Sequence, residues 1–265
     1  MKITKLKEIF GNFLKKMTRK AIIISIFGFS LTRQEMNIFR KEKPWGVILF
    51  KRNISSEKQI KKLTSSIRKI MKDSNYPIII DEEGGRVTRL SGFLNNSLLN
   101  QKYFGDIYSI DKKIGSTLYK SYINAISSNL RNLGININTS PVLDLYESKA
   151  HKIIGNRSYS ANPVIVNELG VLCTKIYKKN KIATVIKHIP GHGKANTDSH
   201  FTLPVVKTNL SLLKKNDFKC FKKVTSHFAM TAHILYSQID KKNNATHSKI
   251  LIKKIIRKEI GFKGI

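Results

Sequence analysis

Ile182-Ala183-Thr184-Val185-Ile186, running into Lys187-His188-Ile189-Pro190-Gly191-His192-Gly193 with Asp198-Ser199-His200 just behind, decides the fold. The opening residues form a short apolar run and predict a buried strand. From Lys187 to His200 the chain packs three histidines, two lysines, an aspartate, two glycines and a proline into fourteen residues. Titratable groups crowded just past the C-terminal end of a buried strand are what an α/β barrel presents at its catalytic face. Gly191 and Gly193 allow a tight turn and a close backbone approach to a ligand. Asp198 and His200 stand two apart, close enough for the carboxylate to orient the imidazole and tune its protonation. The same spacing also suits a metal site, or a polar loop that carries no chemistry.

Working outward, strands and helices alternate. Ala21–Phe27 is strand-like, and Thr32 with Glu35 has the spacing of a capping box. Gly46–Phe50 is a second apolar strand. Glu57–Met71 places Ile60, Leu63, Ile67 and Ile70 on one side of a helix. Pro77–Ile80 predicts a third strand, ending in Asp81. One long helical stretch leads to Leu133, where Gly134 can end it. Ile135–Asn138 and Pro141–Leu145 form the next strand region, and Asn162–Lys179 is helical. Thr184–Lys187 and Ala229–Ala232 are strands, and Ser248–Ile260 is a helix stopped by Gly261. Nearly all-apolar strands separated by helices predict a parallel sheet covered by helices. The element count favours a (β/α)8 TIM-type barrel over an open dinucleotide-binding sheet. No Gly-x-Gly-x-x-Gly follows the first strand, and there is no Walker-type phosphate loop.

The 265 residues are 41% apolar, which suits a globular core. Cys173 and Cys220 lack disulfide-framework or metal-site spacing and read as buried thiols in a reducing compartment. The net charge of +32 would suit a nucleic-acid partner. The lysines are scattered among many Ile and Asn, however, with no recognition motif. Only weak, non-specific nucleic-acid binding at low salt is expected. Met1–Lys20 is basic and Ala21–Leu31 apolar, which mimics a signal peptide. No small-residue cleavage site follows, and the run is too short to span a bilayer. The reading is therefore a basic amphipathic extension over 1–20 and one barrel domain over 21–265, with no membrane span.

Five strand ends carry marked groups: Lys51-Arg52-Asn53; Asp81-Glu82-Glu83-Gly84-Gly85-Arg86 with Arg89; Asp144 with Gly155-Asn156-Arg157-Ser158; the Lys187–His200 segment; and His233. Each alone could be a salt bridge, a cap or a solvated loop. Together they describe one polar basin. Asp81 can accept hydrogen bonds from sugar hydroxyls, while Arg89, Arg157 and Lys187 supply donors.

GVILFKRN, IDEEGGRVTRL, NTSPVLDL, IGNRSY, KHIPGHG with TDSH, and MTAHILY occur in an order that resembles the bacterial β-N-acetylhexosaminidases of glycoside hydrolase family 3. The resemblance runs from about Ile23 to Ile265. It implies a cytoplasmic exo-glycosidase, monomeric and without metal or cofactor. Such an enzyme removes N-acetylglucosamine from the non-reducing end of muropeptides in cell-wall recycling, with retention through a glycosyl-enzyme intermediate. It implies His200 as acid/base held by Asp198, and sugar contacts from Asp81, Arg89, Arg157, Lys187 and His188. A neutral histidine suits that role, because it avoids a like-charge clash with a carboxylate nucleophile. In the family the nucleophile lies in a Ser-Asp-Asp segment shortly after a Gly-Phe-x-Gly turn and strand. Here Gly261-Phe262-Lys263-Gly264-Ile265 closes the sequence, so the nucleophile is expected beyond Ile265 and the barrel is expected to lack its last strands and helices. A chain of this extent is expected to be poorly stable and weak or dead in catalysis. The alternative is a non-catalytic remnant that binds amino sugars or muropeptides.

Overall fold

The computed structural model describes residues 19–148, 153–195, 197 and 202–265. Six parallel strands form one curved sheet in the order β1 (Lys20–Ser25), β2 (Pro44–Leu49), β3 (Ile78–Ile80), β4 (Ile137–Asn138), β5 (Ala183–Ile189) and β7 (Phe228–Thr231). A small parallel pair, β6 (Val205–Val206) with β8 (Leu235–Tyr236), lies apart from it. The helices are α1 (Arg33–Glu42), α2 (Glu57–Met71), α3 (Gln101–Ile110), α4 (Lys112–Asn132), α5 (Pro163–Lys179), α6 (Leu210–Lys215) and α7 (Leu251–Ile260). None among the described residues is long and apolar enough to cross a membrane.

The sheet is an arc of a (β/α) barrel, with β1 and β7 as its two ends among the described residues. On the convex side Val47, Leu49, Ile78 and Ile80 are buried. On the concave side Ile23, Trp45, Ile48, Ile79, Ile137 and Val185 line an apolar hollow of about 280 Å³. Apolar side chains on both faces are what a parallel sheet demands. Curvature brings the Trp45 ring of β2 edge-on to Phe228 of β7, with centroids 5.3 Å apart. Beside β7 the backbone continues the ladder, since Ala229 N–H donates to the Ile265 carbonyl and Ile265 N–H to that of His227, both at 2.8 Å.

Most expected elements appear within a residue or two. Thr32 and Glu35 close the capping box of α1. Ile60, Leu63 and Ile67 are buried along α2, and Ile70 packs against the same core. Both cysteines are buried and free. Three of the expected elements differ from the sequence reading, and β6, β8 and α6 were not expected at all. The stretch expected as one helix before Leu133 is two helices, because Asp111 leaves helical geometry (φ −140°, ψ 110°) and its carboxylate accepts from the Lys113 and Ile114 amides. Satisfying those orphan N–H groups starts a new helix and fixes the angle between α3 and α4. Pro141–Leu145 is not a full strand; Val142 alone bridges to Lys187. The helix over Leu251–Ile260 winds wider than an α-helix before ending at Gly261 (φ +83°). Of the basic extension read over 1–20, residues 1–18 lie outside the described residues, while Arg19 pairs with Asp73 and Lys20 already opens β1.

Replacing Asp111 by Ala is expected to cost about 1 kcal/mol. A lower urea midpoint would register it, and an unchanged midpoint would show that the break between α3 and α4 does not depend on the cap.

Candidate active site

The polar groups gather where β3, β4 and β5 end. Past Ile80 the side chains of Asp81 and Glu83 turn to one side and that of Glu82 to the other. Asp81 and Glu83 both reach the ammonium of Lys187, with Nζ 3.5 Å from Asp81 Oδ1 and 2.5 Å from Glu83 Oε1. Lys187 also donates to Thr139 Oγ1 at 2.9 Å, and Thr139 in turn donates to Asp81. Arg157 grips Glu83 with two parallel bonds, Nε to Oε2 at 2.8 Å and Nη2 to Oε1 at 2.9 Å. Arg89 Nη2 meets Asp81 Oδ2 at 3.1 Å. The buried Nε of Arg89 finds no partner among the described residues.

Glu82 serves the opposite side. Its carboxyl accepts from Thr88 Oγ1 (2.7 Å), the Arg89 and Leu90 amides (2.8 and 3.2 Å) and Asn96 Nδ2 (2.7 Å). It thereby holds the segment that delivers Arg89. Burial raises the Glu82 pKa despite these bonds.

Asp144 organises a second cluster. Its carboxylate accepts from the His188 and His192 amides at 3.1 and 2.7 Å, and contacts His188 Nδ1 at 2.6 Å. Burial alone would raise the Asp144 pKa, but His188 outweighs it and lowers it. An ionised acceptor at this distance assigns the proton to Nδ1 and leaves Nε2 as the ring's other hydrogen-bonding atom. Both glycines of the loop are required. Gly191 sits at φ +139°, and a Cβ at Gly193 would lie 2.3 Å from the Leu145 carbonyl oxygen.

All five expected sugar contacts lie in this one region, with differing access. The side chains of Asp81, Arg89, Arg157 and His188 are partly open, while Lys187 is 3% exposed. The Lys187 ammonium is thus occupied by Glu83, Asp81 and Thr139, where the sequence reading had it offering donors to a ligand. Asp198 and His200 lie outside the described residues. Lys51-Arg52-Asn53 and His233 do not join the cluster. Arg52 and Asn53 hold the Ile26 carbonyl at the end of β1, and His233 is exposed beside Asn244 and Thr246. Sequence reasoning overlooked Thr139 and the bridging role of Glu83. The alternation from Asp81 was the available signal for Glu83. Among the described residues no group of three or more His, Cys, Asp or Glu could hold a metal ion.

Asp81 and Asp217 are shifted in opposite directions. Burial alone would raise the Asp81 pKa; Lys187, Thr139 and Arg89 outweigh it and bring it down to about 2. Asp217 lies behind the loop, and burial pushes its pKa up to about 6; Lys194 opposes the rise, while Asp144 and Glu147 add to it. Its Oδ2 has no hydrogen-bond partner among the described residues.

Comparisons with known proteins give the family. The N-terminal domain of glycosyl hydrolase family 3 matches residues 6–265. A β-hexosaminidase of Neisseria meningitidis is 34% identical over 252 residues, covering 93% of this chain and 68% of the relative. One from Methylobacillus flagellatus is 31% identical over 253 residues, covering 94% and 71%. The crystal structure of NagZ from Neisseria gonorrhoeae with N-trifluoroacetyl-D-glucosamine superposes with a TM-score of 0.86 at 32% identity, covering 93% of this chain and 73% of that one.

The two shifts give opposite pH signatures. The stability Asp81 confers is present above its ordinary pKa of 3.8 and lost as pH falls towards 2. The stability gap between wild type and Asp81→Asn should therefore narrow by about 2 kcal/mol between pH 5 and pH 2. Asp217 favours the folded state only while protonated, so its contribution is lost as pH rises from about 4 through 6. Asp217→Asn should gain about 2 kcal/mol on wild type between pH 4 and pH 7.5. Denaturant titrations across pH read both; parallel curves for either pair would contradict the assigned environment.

Proposed function

Because the chain belongs to glycosyl hydrolase family 3, we propose that it recognises glycosides ending in a non-reducing N-acetyl-β-D-glucosamine and hydrolyses that bond with retention, in cytoplasmic peptidoglycan recycling. The observation that carries this reading is Asp81, an ionised carboxylate at the mouth of the strand ends, flanked by the incompletely partnered Arg89. A fixed anion beside a guanidinium suits the vicinal hydroxyls of a sugar, which donate and accept at adjacent atoms. The relative whose structure holds N-trifluoroacetyl-D-glucosamine supports an amino sugar as ligand.

In this reading His200 protonates the departing glycosidic oxygen while a carboxylate attacks the anomeric carbon. His200 then takes a proton from the water that releases the sugar. Asp198 holds the imidazole in the required tautomer. Arg157 and His188 complete the sugar pocket, and Lys187 fixes Asp81 and Glu83 from beneath. By the family pattern that carboxylate belongs to a Ser-Asp-Asp segment.

One observation favours a second reading, a non-catalytic amino-sugar binder. Asp81, Glu82, Glu83 and Asp144 each have internal donors, so no carboxylate among them is free to attack. Calorimetry with N-acetylglucosamine and a chromogenic N-acetyl-β-glucosaminide assay separate the two. Binding should weaken at least about tenfold in Asp81→Asn. If turnover is found, His200→Ala should lower kcat on the order of a hundredfold or more with KM little changed. Unchanged turnover removes His200 from the mechanism. Sugar binding without turnover selects the binder, and absence of both contradicts the assignment.

A further inference from the structure

At the opposite end of the barrel, α2 and α4 finish side by side over a cleft of about 570 Å³. Barrel helices run against their strands, so these C-termini open towards the starts of β3 and β4, away from Asp81. Lys61, Arg68, Lys69, Lys72 and Arg131 line the cleft, with Asp73 as its one carboxylate. Cations near helix C-termini offset the helix dipole, which accounts for some of this charge.

The dipole does not account for Arg68. Its Nε is buried and has no hydrogen-bond partner among the described residues. Asp73, the nearby carboxylate, is committed elsewhere: Oδ2 to Arg19 and Oδ1 to the Asn75 amide at 2.8 Å. Arg19 is itself fixed over the Tyr76 ring, 5.0 Å from its centroid. Lys61 pairs with Glu57 on its own helix at 2.6 Å. Arg68, Lys69, Lys72 and Arg131 therefore line one open concavity with a single carboxylate near them, Asp73, whose hydrogen bonds go to Arg19 and Asn75. A partly buried guanidinium lacking an acceptor is costly unless an anion supplies one.

We propose that this cleft binds a phosphate-bearing small molecule, with Arg68 and Arg131 presenting planar donors to its oxygens and Lys69 and Lys72 neutralising its charge. The site is independent of the sugar-recognition reading. Titration calorimetry of the full chain with pyrophosphate in 150 mM NaCl tests it, with ADP as a second arm to separate a free anion from the phosphates of a larger ligand. Arg68→Lys keeps the charge but loses the fork, and should weaken pyrophosphate binding at least about tenfold. The exposed Arg131→Lys should weaken it as well and does not threaten the fold. ADP binding tighter than pyrophosphate assigns a nucleotide-sized ligand; equal or weaker binding assigns the anion alone. No pyrophosphate binding, or equal affinity in wild type and both variants, overturns the proposal, because net positive charge then suffices. Displacement by a short DNA duplex with the same salt dependence in wild type and Arg68→Lys also overturns it.

Discussion

Lys187 carries an ammonium into a place that water barely reaches, and Asp81, Glu83 and Thr139 meet it there. An isolated buried cation would be intolerable, and so would either buried carboxylate alone. Together they form a set in which removing one member strands the rest, at a cost of roughly 3–5 kcal/mol. The set also ties three strands to one another, since Asp81 and Glu83 follow β3, Thr139 follows β4, and Lys187 belongs to β5. The geometry of the candidate site and the registry of the barrel are thus held by the same charges. Arg157 extends the network from a separate turn through its fork on Glu83.

Three consecutive carboxyls, Asp81, Glu82 and Glu83, show how position alone assigns different work. The outer two turn towards Lys187 and the middle one towards neutral donors. Asp81 is held ionised by cations. Glu82, buried more deeply and without a cation, titrates higher and acts as a clamp for the segment carrying Arg89. Asp144 repeats the clamping idea on the next loop, fixing two backbone amides and one histidine ring. The parts that would touch a ligand are oriented by carboxylates that sit behind them.

Much of this was legible in the residues. Apolar runs such as Ile78–Ile80 announced buried parallel strands, and the polar groups after β3, β4 and β5 gather in one region. Asp81, Arg89, Arg157, Lys187 and His188 did converge. The sequence could not reveal which of them keeps a free donor, because that depends on how far the sheet curves and which side chains then meet. Lys187 reads as a ligand donor until Glu83 and Thr139 are seen beside it. Asp111 was missed because apolar periodicity continues across it, although an aspartate two and three residues before unsatisfied amides is an N-cap signal. The pair β6 and β8 was too short to show any period.

The central claim is that the strand-end charge network frames an amino-sugar pocket. A crystal structure of the chain with N-acetylglucosamine tests it most directly. The account predicts a sugar whose hydroxyls lie within hydrogen-bond distance of Asp81 and Arg89, with the Lys187–Glu83–Arg157 contacts unchanged. A sugar bound elsewhere, or one that displaces Lys187 from Glu83 to bind it directly, would contradict it.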